Sequence, residues 1–550
     1  MEQKSPFDGK TIIIIILCMG IWWSWQQHLQ KKYPHIMGPQ ATNQAAPQQP
    51  AAPQNAGIAQ APGAPTSPTA ANISIPVFTK STGIEKKWTY ENDFWRVVVS
   101  SFGGRVSEVQ LKKYTDGAGK MITIISPELP GVLLTSIDGG NSIPSNLEYT
   151  INPISTEKVE LVGKTQNAVI KKTLTMNPDK YVVKARIEVQ GKLDGVKRVN
   201  VDLVDSSPLE ASLPNKAMSF LTPGSGAEIR EYFISHGSKH ARDVVSPDEA
   251  PENKYEQTHF AALGTRYFTA LLFNRAPVLP EAQEFRAQNN SVLRLSYPVL
   301  EPSNTLTYDL DLYAGPKALT ELGQVDKQAT ELVDFGMFSW IAIPLLQLMR
   351  WFYTVFQNWG LAIIALTILV RLVTFPFTYV SYKSMQSMQK IQPEIARLKE
   401  VHKDNTQLLN QEMLKLMREN KVNPMGGCIP MLLQLPIFWA LYQVLQNSIE
   451  LYHAPFYGWI HDLSQKDPYY VLPVLMGIVM FIQQKMTPNT MDPTQAKIML
   501  IMPVFFAFIM LSVPSGLTLY IFISTLFGII QQMSMMSDRA GNNQVVVRRV

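Results

Sequence analysis

Between Lys497 and Asp538 lie forty consecutive residues without a charge. A bilayer core takes about 20 helical residues to cross, so this stretch is long enough for two spans. Pro514-Ser515-Gly516 interrupts it with a turn signal. The spacing predicts a helical hairpin, with spans near 498–512 and 516–534. Three further gaps precede it. Lys421 to Glu450 and Asp467 to Lys485 are uncharged, and Arg371 is the one charge between Arg350 and Lys383. These gaps predict spans near 360–380, 426–448 and 469–486, five in all with the hairpin.

The apolar run Thr11 to Trp25 adds a sixth. Lys4 and Lys10 precede it and Trp22, Trp23 and Trp25 close it, as at a membrane–water interface. An uncleaved anchor over 1–30 is the expectation; the competing reading is a cleaved signal peptide. Residues 31–79 read as a disordered linker, because 38–72 is rich in Pro, Gln and Ala and bears no charge.

Lys and Arg decide the orientation. Segment 381–422 holds eight of them and segment 450–468 only Lys466, so the first is expected in the cytoplasm and the second outside. Six spans put both termini in the cytoplasm, with the tail 535–550 among the cytoplasmic parts. The long segment before the core is then exported.

That segment, 80–325, alternates with period two. Val183, Ala185, Ile187 and Val189 interleave with Lys184, Arg186 and Glu188; 198–203 and 306–312 repeat the pattern. Alternation over many short runs predicts an antiparallel β-sandwich. Neither cysteine, Cys18 or Cys428, falls in it, which excludes a disulfide scaffold there. After it the period becomes helical. The aromatic run 334–359 carries Gln347, Arg350, Gln357 and Asn358 and reads as an interfacial amphipathic helix; a helix packed on the sandwich is the alternative. In 381–422, apolar residues recur three and four apart on either side of His402–Asn405, which predicts a helical hairpin; its methionines suit varied apolar partners, and a solvated charged face is the alternative.

Arg371 is the most informative residue. It lies about 16–18 Å along a helix from Gly360 and from Lys383. An arginine at that depth costs on the order of 3 kcal/mol, and the expected spans contain no Asp or Glu to pair it. A water-filled cavity is the reading by elimination; snorkelling to the interface is the alternative. Thr367 sits one turn earlier, Pro376 frees the carbonyl of Leu372, and Gln434, Tyr520 and Ser524 are polar groups in other spans. These are the candidate groove residues. No His-Glu-x-x-His, Gly-x-Ser-x-Gly or phosphate-loop motif is present, so no catalytic residue, cofactor or metal is expected. His236 and His240 in HGSKH read as a loop. A net charge of +5 without a basic tract gives no case for nucleic-acid binding.

Several motifs in order resemble one family. Asn423-Pro424-Met425-Gly426-Gly427-Cys428-Ile429-Pro430 with Gln434-Leu435-Pro436-Ile437-Phe438 resembles the entry to the second core span of the YidC insertases of the YidC/Oxa/Alb family. Leu369-Val370-Arg371 with Phe375-Pro376 resembles their arginine-bearing span. Pro514-Ser515-Gly516-Leu517 with Tyr520 resembles their last hairpin, and Gln483-Gln484 and Gln531-Gln532 resemble their paired glutamines at span ends. The exported domain after one anchor resembles the Gram-negative form. The resemblance implies a polytopic α-helical protein of the bacterial inner membrane, with six transmembrane helices, five forming the core over 360–534, and a large periplasmic all-β supersandwich shaped like sugar mutarotases. It implies an insertase and chaperone, not an enzyme, whose groove opens to cytoplasm and lipid. There Arg371 attracts the polar tail of a nascent membrane protein, and Thr367, Gln434, Tyr520 and Ser524 line the path. It also implies partners: the lipid bilayer, the Sec translocon with its accessory subunits, and a ribosome or targeting factors at the cytoplasmic face. A solute transporter with a midplane site and an anchored carbohydrate-binding module are the readings from other classes. Liposome flux separates the first, and activity of 80–325 alone the second.

Overall fold

Residues that alternate between apolar and polar along a strand must place one set on a core, and the strand Val182–Gly191 does so. Val183, Ala185, Ile187 and Val189 are buried while Lys184, Arg186 and Glu188 face outward. The computed structural model describes residues 83–116, 119–139, 143–193, 195–205, 230–244, 253–287, 290–299, 304–402, 405–420, 429–487 and 493–542. The expected anchor, the linker and the Asn423–Cys428 motif lie outside these.

Among the described residues, strands form two nine-stranded sheets. One runs Lys87–Glu91, Trp95–Ser100, Arg105–Thr115, Val132–Asp138, Arg198–Asp205, Asn290–Pro298, Glu281–Ala287, Lys254–Tyr255, with Met121–Ile125 paired to the third. The other runs Lys239–Val244, Glu231–His236, Thr258–Gly264, Phe268–Asn274, Thr305–Pro316, Val182–Gly191, Ala168–Met176, Lys158–Lys164, Tyr149–Pro153. Neighbours pair antiparallel. The inner faces share one apolar core built on Trp95, Val97, Ile170, Ile187, Leu295 and Leu312. This all-β sandwich is the expected exported domain. HGSKH spans a hairpin turn, from Glu231–His236 to Lys239–Val244, and no metal-binding cluster occurs among the described residues.

Two positions depart from simple alternation. In Arg198–Asp205 the polar set is buried as well as the apolar one: Asn200 and Asp202 are sealed, and Arg294 holds Asp202 with two bonds of 2.7 and 2.8 Å. In Ala168–Met176 the inward register Ile170-Lys172-Leu174 puts a lysine in the core.

Helices follow: α1 (Leu319–Val325), α2 (Ser339–Phe356), α3 (Trp359–Val401), α4 (Thr406–Glu419), α5 (Ile429–Asn447), α6 (Val471–Met486), α7 (Pro493–Met510) and α8 (Ser515–Asn542). α2 buries Ala342, Leu346 and Met349 at three- and four-residue spacing and packs on α3 and α5, while Trp340 and Trp351 stay exposed. The arginine-bearing segment and the first arm of the hairpin expected over 381–422 are one continuous 43-residue helix, α3. The Asn405 amide donates to the His402 carbonyl at 3.1 Å, and α4 follows. Two helical segments, Trp359–Val401 and Ser515–Met535, are long and apolar enough to cross a membrane, and Val471–Met486 and Met499–Met510 are apolar but shorter. The described residues therefore do not reach a count of six spans.

All described residues belong to one unit, and the sandwich is fastened to the helices. Arg266 donates to Gln446 of α5 at 2.9 Å. The Tyr452 hydroxyl donates to the Thr115 carbonyl at 3.0 Å, and its ring packs on Tyr267 and Phe268. A strap from α1 to residue 335 crosses one sheet, where Arg275 donates to the Val325 carbonyl and Arg242 to the Leu332 carbonyl.

Candidate substrate groove

The local sequence makes α3 start where it does. Asn358 accepts from the Leu361 amide at 3.1 Å and caps the first turn. Gly360 comes next, and a Cβ there would overlap the Phe456 ring, so only glycine lets the helix pass this close. Twelve residues past Trp359 comes Arg371. Thr374 and Thr378 turn their hydroxyls back to carbonyls one turn earlier, Val370 and Thr374, which satisfies them without water. Pro376 brings no N–H to the carbonyl of Leu372.

The helices α3, α5 and α8 bring Arg371, Gln434, Tyr520 and Ser524 to the wall of one cavity of about 240 Å³. The Arg371 Nε donates to Ser524 Oγ at 2.8 Å. The Tyr520 hydroxyl stands against Ser524 and Gln434, and its ring lies 6.2 Å from that of Phe438. Tyr520 and Ser524 are buried, whereas Arg371 and Gln434 are half-exposed to the cavity. Thr525 adds a further hydroxyl, and Leu435, Phe438 and Ile521 supply the apolar part of the wall. Thr367 is not among the lining residues. It is buried, and its hydroxyl donates to the Ile363 carbonyl at 2.6 Å.

Among the described residues no carboxylate forms an ion pair with Arg371; the pairs in the helical part are elsewhere, such as Arg350 with Glu450 at 2.9 Å. Ser524 occupies one of the five N–H donors of the guanidinium. A positive group held from one side, beside a cavity with amide and hydroxyl walls, attracts carboxylates and polar backbone and repels cations.

Two residues near Arg371, Gln531 and Gln483, are marked by the sequence only as span ends. Gln531 donates to the Arg371 carbonyl at 3.2 Å, and Gln483 of α6 reaches Gly528 of α8. The paired-glutamine spacing was the available signal, but nothing in one sequence sets the rotation of α8 against α3.

Residues 351–542 match the family model of the 60Kd inner membrane protein, and residues 87–348 match that of the YidC periplasmic domain. The membrane protein insertase YidC of Geotalea daltonii is 38% identical over 453 residues, covering 80% of this chain and 85% of that protein. That of Pelobacter propionicus is 33% identical and covers 96% of this chain and 98% of its own. A crystal structure of an active YidC insertase with the first transmembrane domain resolved aligns over 83% of this chain and 93% of its own, at 20% identity and a TM-score of 0.36.

Proposed function

This chain belongs to the YidC family of membrane protein insertases, and on that premise we propose that it inserts integral proteins into the bacterial inner membrane through the cavity at Arg371. The observation that carries the reading is a guanidinium without an acidic partner among the described residues, facing a cavity between α3, α5 and α8. A polar tail that meets this cavity before it meets lipid is desolvated less. The tail crosses while the client's own apolar span, buried in lipid, drives the step.

The same reading covers the finer features. Five helices, α3 and α5 to α8, cross the membrane, and an N-terminal anchor makes six. Both termini and the α3–α4 hairpin lie in the cytoplasm, and the sandwich in the periplasm. α2 lies along the outer interface with Trp340 and Trp351 toward lipid headgroups. The hairpin receives clients, with a ribosome or targeting factor, and the chain also folds clients beside the Sec translocon.

Reconstituted protein tests the central claim. Arg371→Ala is expected to slow insertion of a single-span client with an acidic exported tail by about tenfold, the size of a lost charge-assisted bond. Arg371→Lys is expected to keep most of the rate. Equal rates for wild type and Arg371→Ala across acidic and neutral tails would remove the arginine from the mechanism.

A further inference from the structure

Three helices wall the cavity, and they are not held alike. α8 contains no proline, and Leu517, Tyr520, Ile521, Ser524 and Thr525 along it are buried. α3 is bonded to α8 twice at the arginine itself, from its Nε to Ser524 at 2.8 Å and from Gln531 to its carbonyl at 3.2 Å. The Pro376 of α3 lies outside the stretch that lines the cavity.

α5 is divided. Its later half is fixed: Ala440, Leu441, Val444 and Leu445 are buried, Gln446 accepts from Arg266 at 2.9 Å, and Asn447 donates to the Asp334 carbonyl at 2.6 Å. In its first half Leu432 and Leu435 are exposed. Pro436 stands at the division. It offers no N–H to the Leu432 carbonyl, so the helix lacks a bond at this turn and bends there most readily. Gln434 and Leu435 lie before this joint. Phe438 lies beyond it, with its ring centre 6.2 Å from that of Tyr520. A cavity of about 150 Å³ takes up a benzene ring. The cavity at Arg371, about 240 Å³, thus takes one large side chain of a passing chain, whereas two at once need roughly 300 Å³ by the same measure.

We propose that the first half of α5 is the yielding wall of the groove and that Pro436 sets the bulk of the client tail it accepts. The half-helix swings about Pro436 and carries Gln434 and Leu435 away from α3 and α8. Phe438 stays on Tyr520 with the fixed half, so the cavity widens at one end and remains closed at the other. Tails of small residues pass without the swing, and tails with neighbouring aromatic residues require it. The proposal rests on the insertase reading and names the clients that depend on the joint. Bulk, not charge, decides that dependence, which sets it apart from dependence on Arg371.

The test uses the full chain in liposomes and two single-span clients with the same acidic residues in the tail. One tail is otherwise Ser and Gly; the other carries two Trp two positions apart, on one face of an extended chain. Pro436→Ala returns an N–H to the Leu432 carbonyl. It is expected to slow the Trp-bearing client about fivefold more than the small-tailed one, the effect of the one backbone bond that the swing must then break. Pro436→Gly, soft through its backbone freedom, is expected to keep the wild-type ratio. Equal slowing of both clients by Pro436→Ala, or of neither, overturns the joint, as does the same bias in Pro436→Gly. If Pro436→Ala does not fold, spin labels at Leu435 and Leu372, both exposed, carry the test in an otherwise wild-type chain. Their separation is expected to lengthen while the Trp-bearing client is engaged, and an unchanged separation overturns the swing. An unchanged rate for both clients in Arg371→Ala overturns the groove itself, a failure distinct from that of the joint.

Discussion

Lys172 shows what a single side chain can hide from a reading of the sequence. Its ammonium is sealed in the sandwich, donating to the carbonyls of Gly103, Gly104 and Leu133 at 2.9, 2.9 and 2.7 Å, over the Tyr149 ring. Three donated bonds use all three ammonium protons, while burial pushes the group from 10.5 down to about 7. The unfolded chain then holds this proton more tightly than the native one, so the penalty is full below about pH 7 and is relieved as pH climbs toward 10.5. Unfolding of the sandwich, followed by near-UV circular dichroism, is expected to show stability rising with pH across that window, and Lys172→Met to flatten the rise. An identical slope in the variant would contradict it. Asp202 is a second hidden case. Arg294→Leu leaves its carboxylate buried without the bidentate partner and is expected to cost about 3–5 kcal/mol in chemical denaturation. Period-two alternation located Val183, Ile187 and Leu312 in the core, but alternation ranks positions by polarity, and a lysine or an aspartate satisfied by carbonyls or an arginine defeats it.

The elements were more legible than their joints. Charge gaps located the helices closely, because a missing charge over about 20 residues is a property of the medium around a helix. The gap at 426–448 contains α5, Ile429–Asn447, and the break at 514–516 falls where α8 starts at Ser515. At Lys383 composition changes from apolar to charged without ending the helix, and α3 runs through to Val401. The site was legible to the same degree: Arg371, Gln434, Tyr520 and Ser524 meet at one cavity, whereas Thr367, one turn from Arg371, faces its own helix. At this scale Gly360 is the sharpest test. Gly360→Ala drives a methyl into the Phe456 ring and is expected to cost about 1–3 kcal/mol, the usual range for overpacking. Adding Phe456→Leu is expected to restore most of it in thermal unfolding of the detergent-solubilised protein. Failure of the second change to restore anything would mean the ring is not the obstacle.

Across the whole unit, the sandwich and the helices are joined by Arg266–Gln446, by Tyr452 on Thr115, and by the strap that Arg242 and Arg275 hold. Replacing Arg266 and Tyr452 by Ala is expected to broaden the distance distribution between spin labels at Lys184 and Tyr469, both exposed. A distribution as narrow as the parent's would show that the strap suffices. None of these contacts was legible, since each links residues fifty or more positions apart and depends on how finished elements meet. The unbroken α3 has a consequence of its own. At 1.5 Å per residue it is a rod about 64 Å long, with its anchored end at Phe456 and its tip at His402. Pro376 stands five residues beyond Arg371 and weakens the rod at that level. Pro393 weakens it again nearer the tip, so a load that pulls on the tip bends the rod at these two joints, both beyond Arg371, while the handle, guanidinium included, keeps its grip.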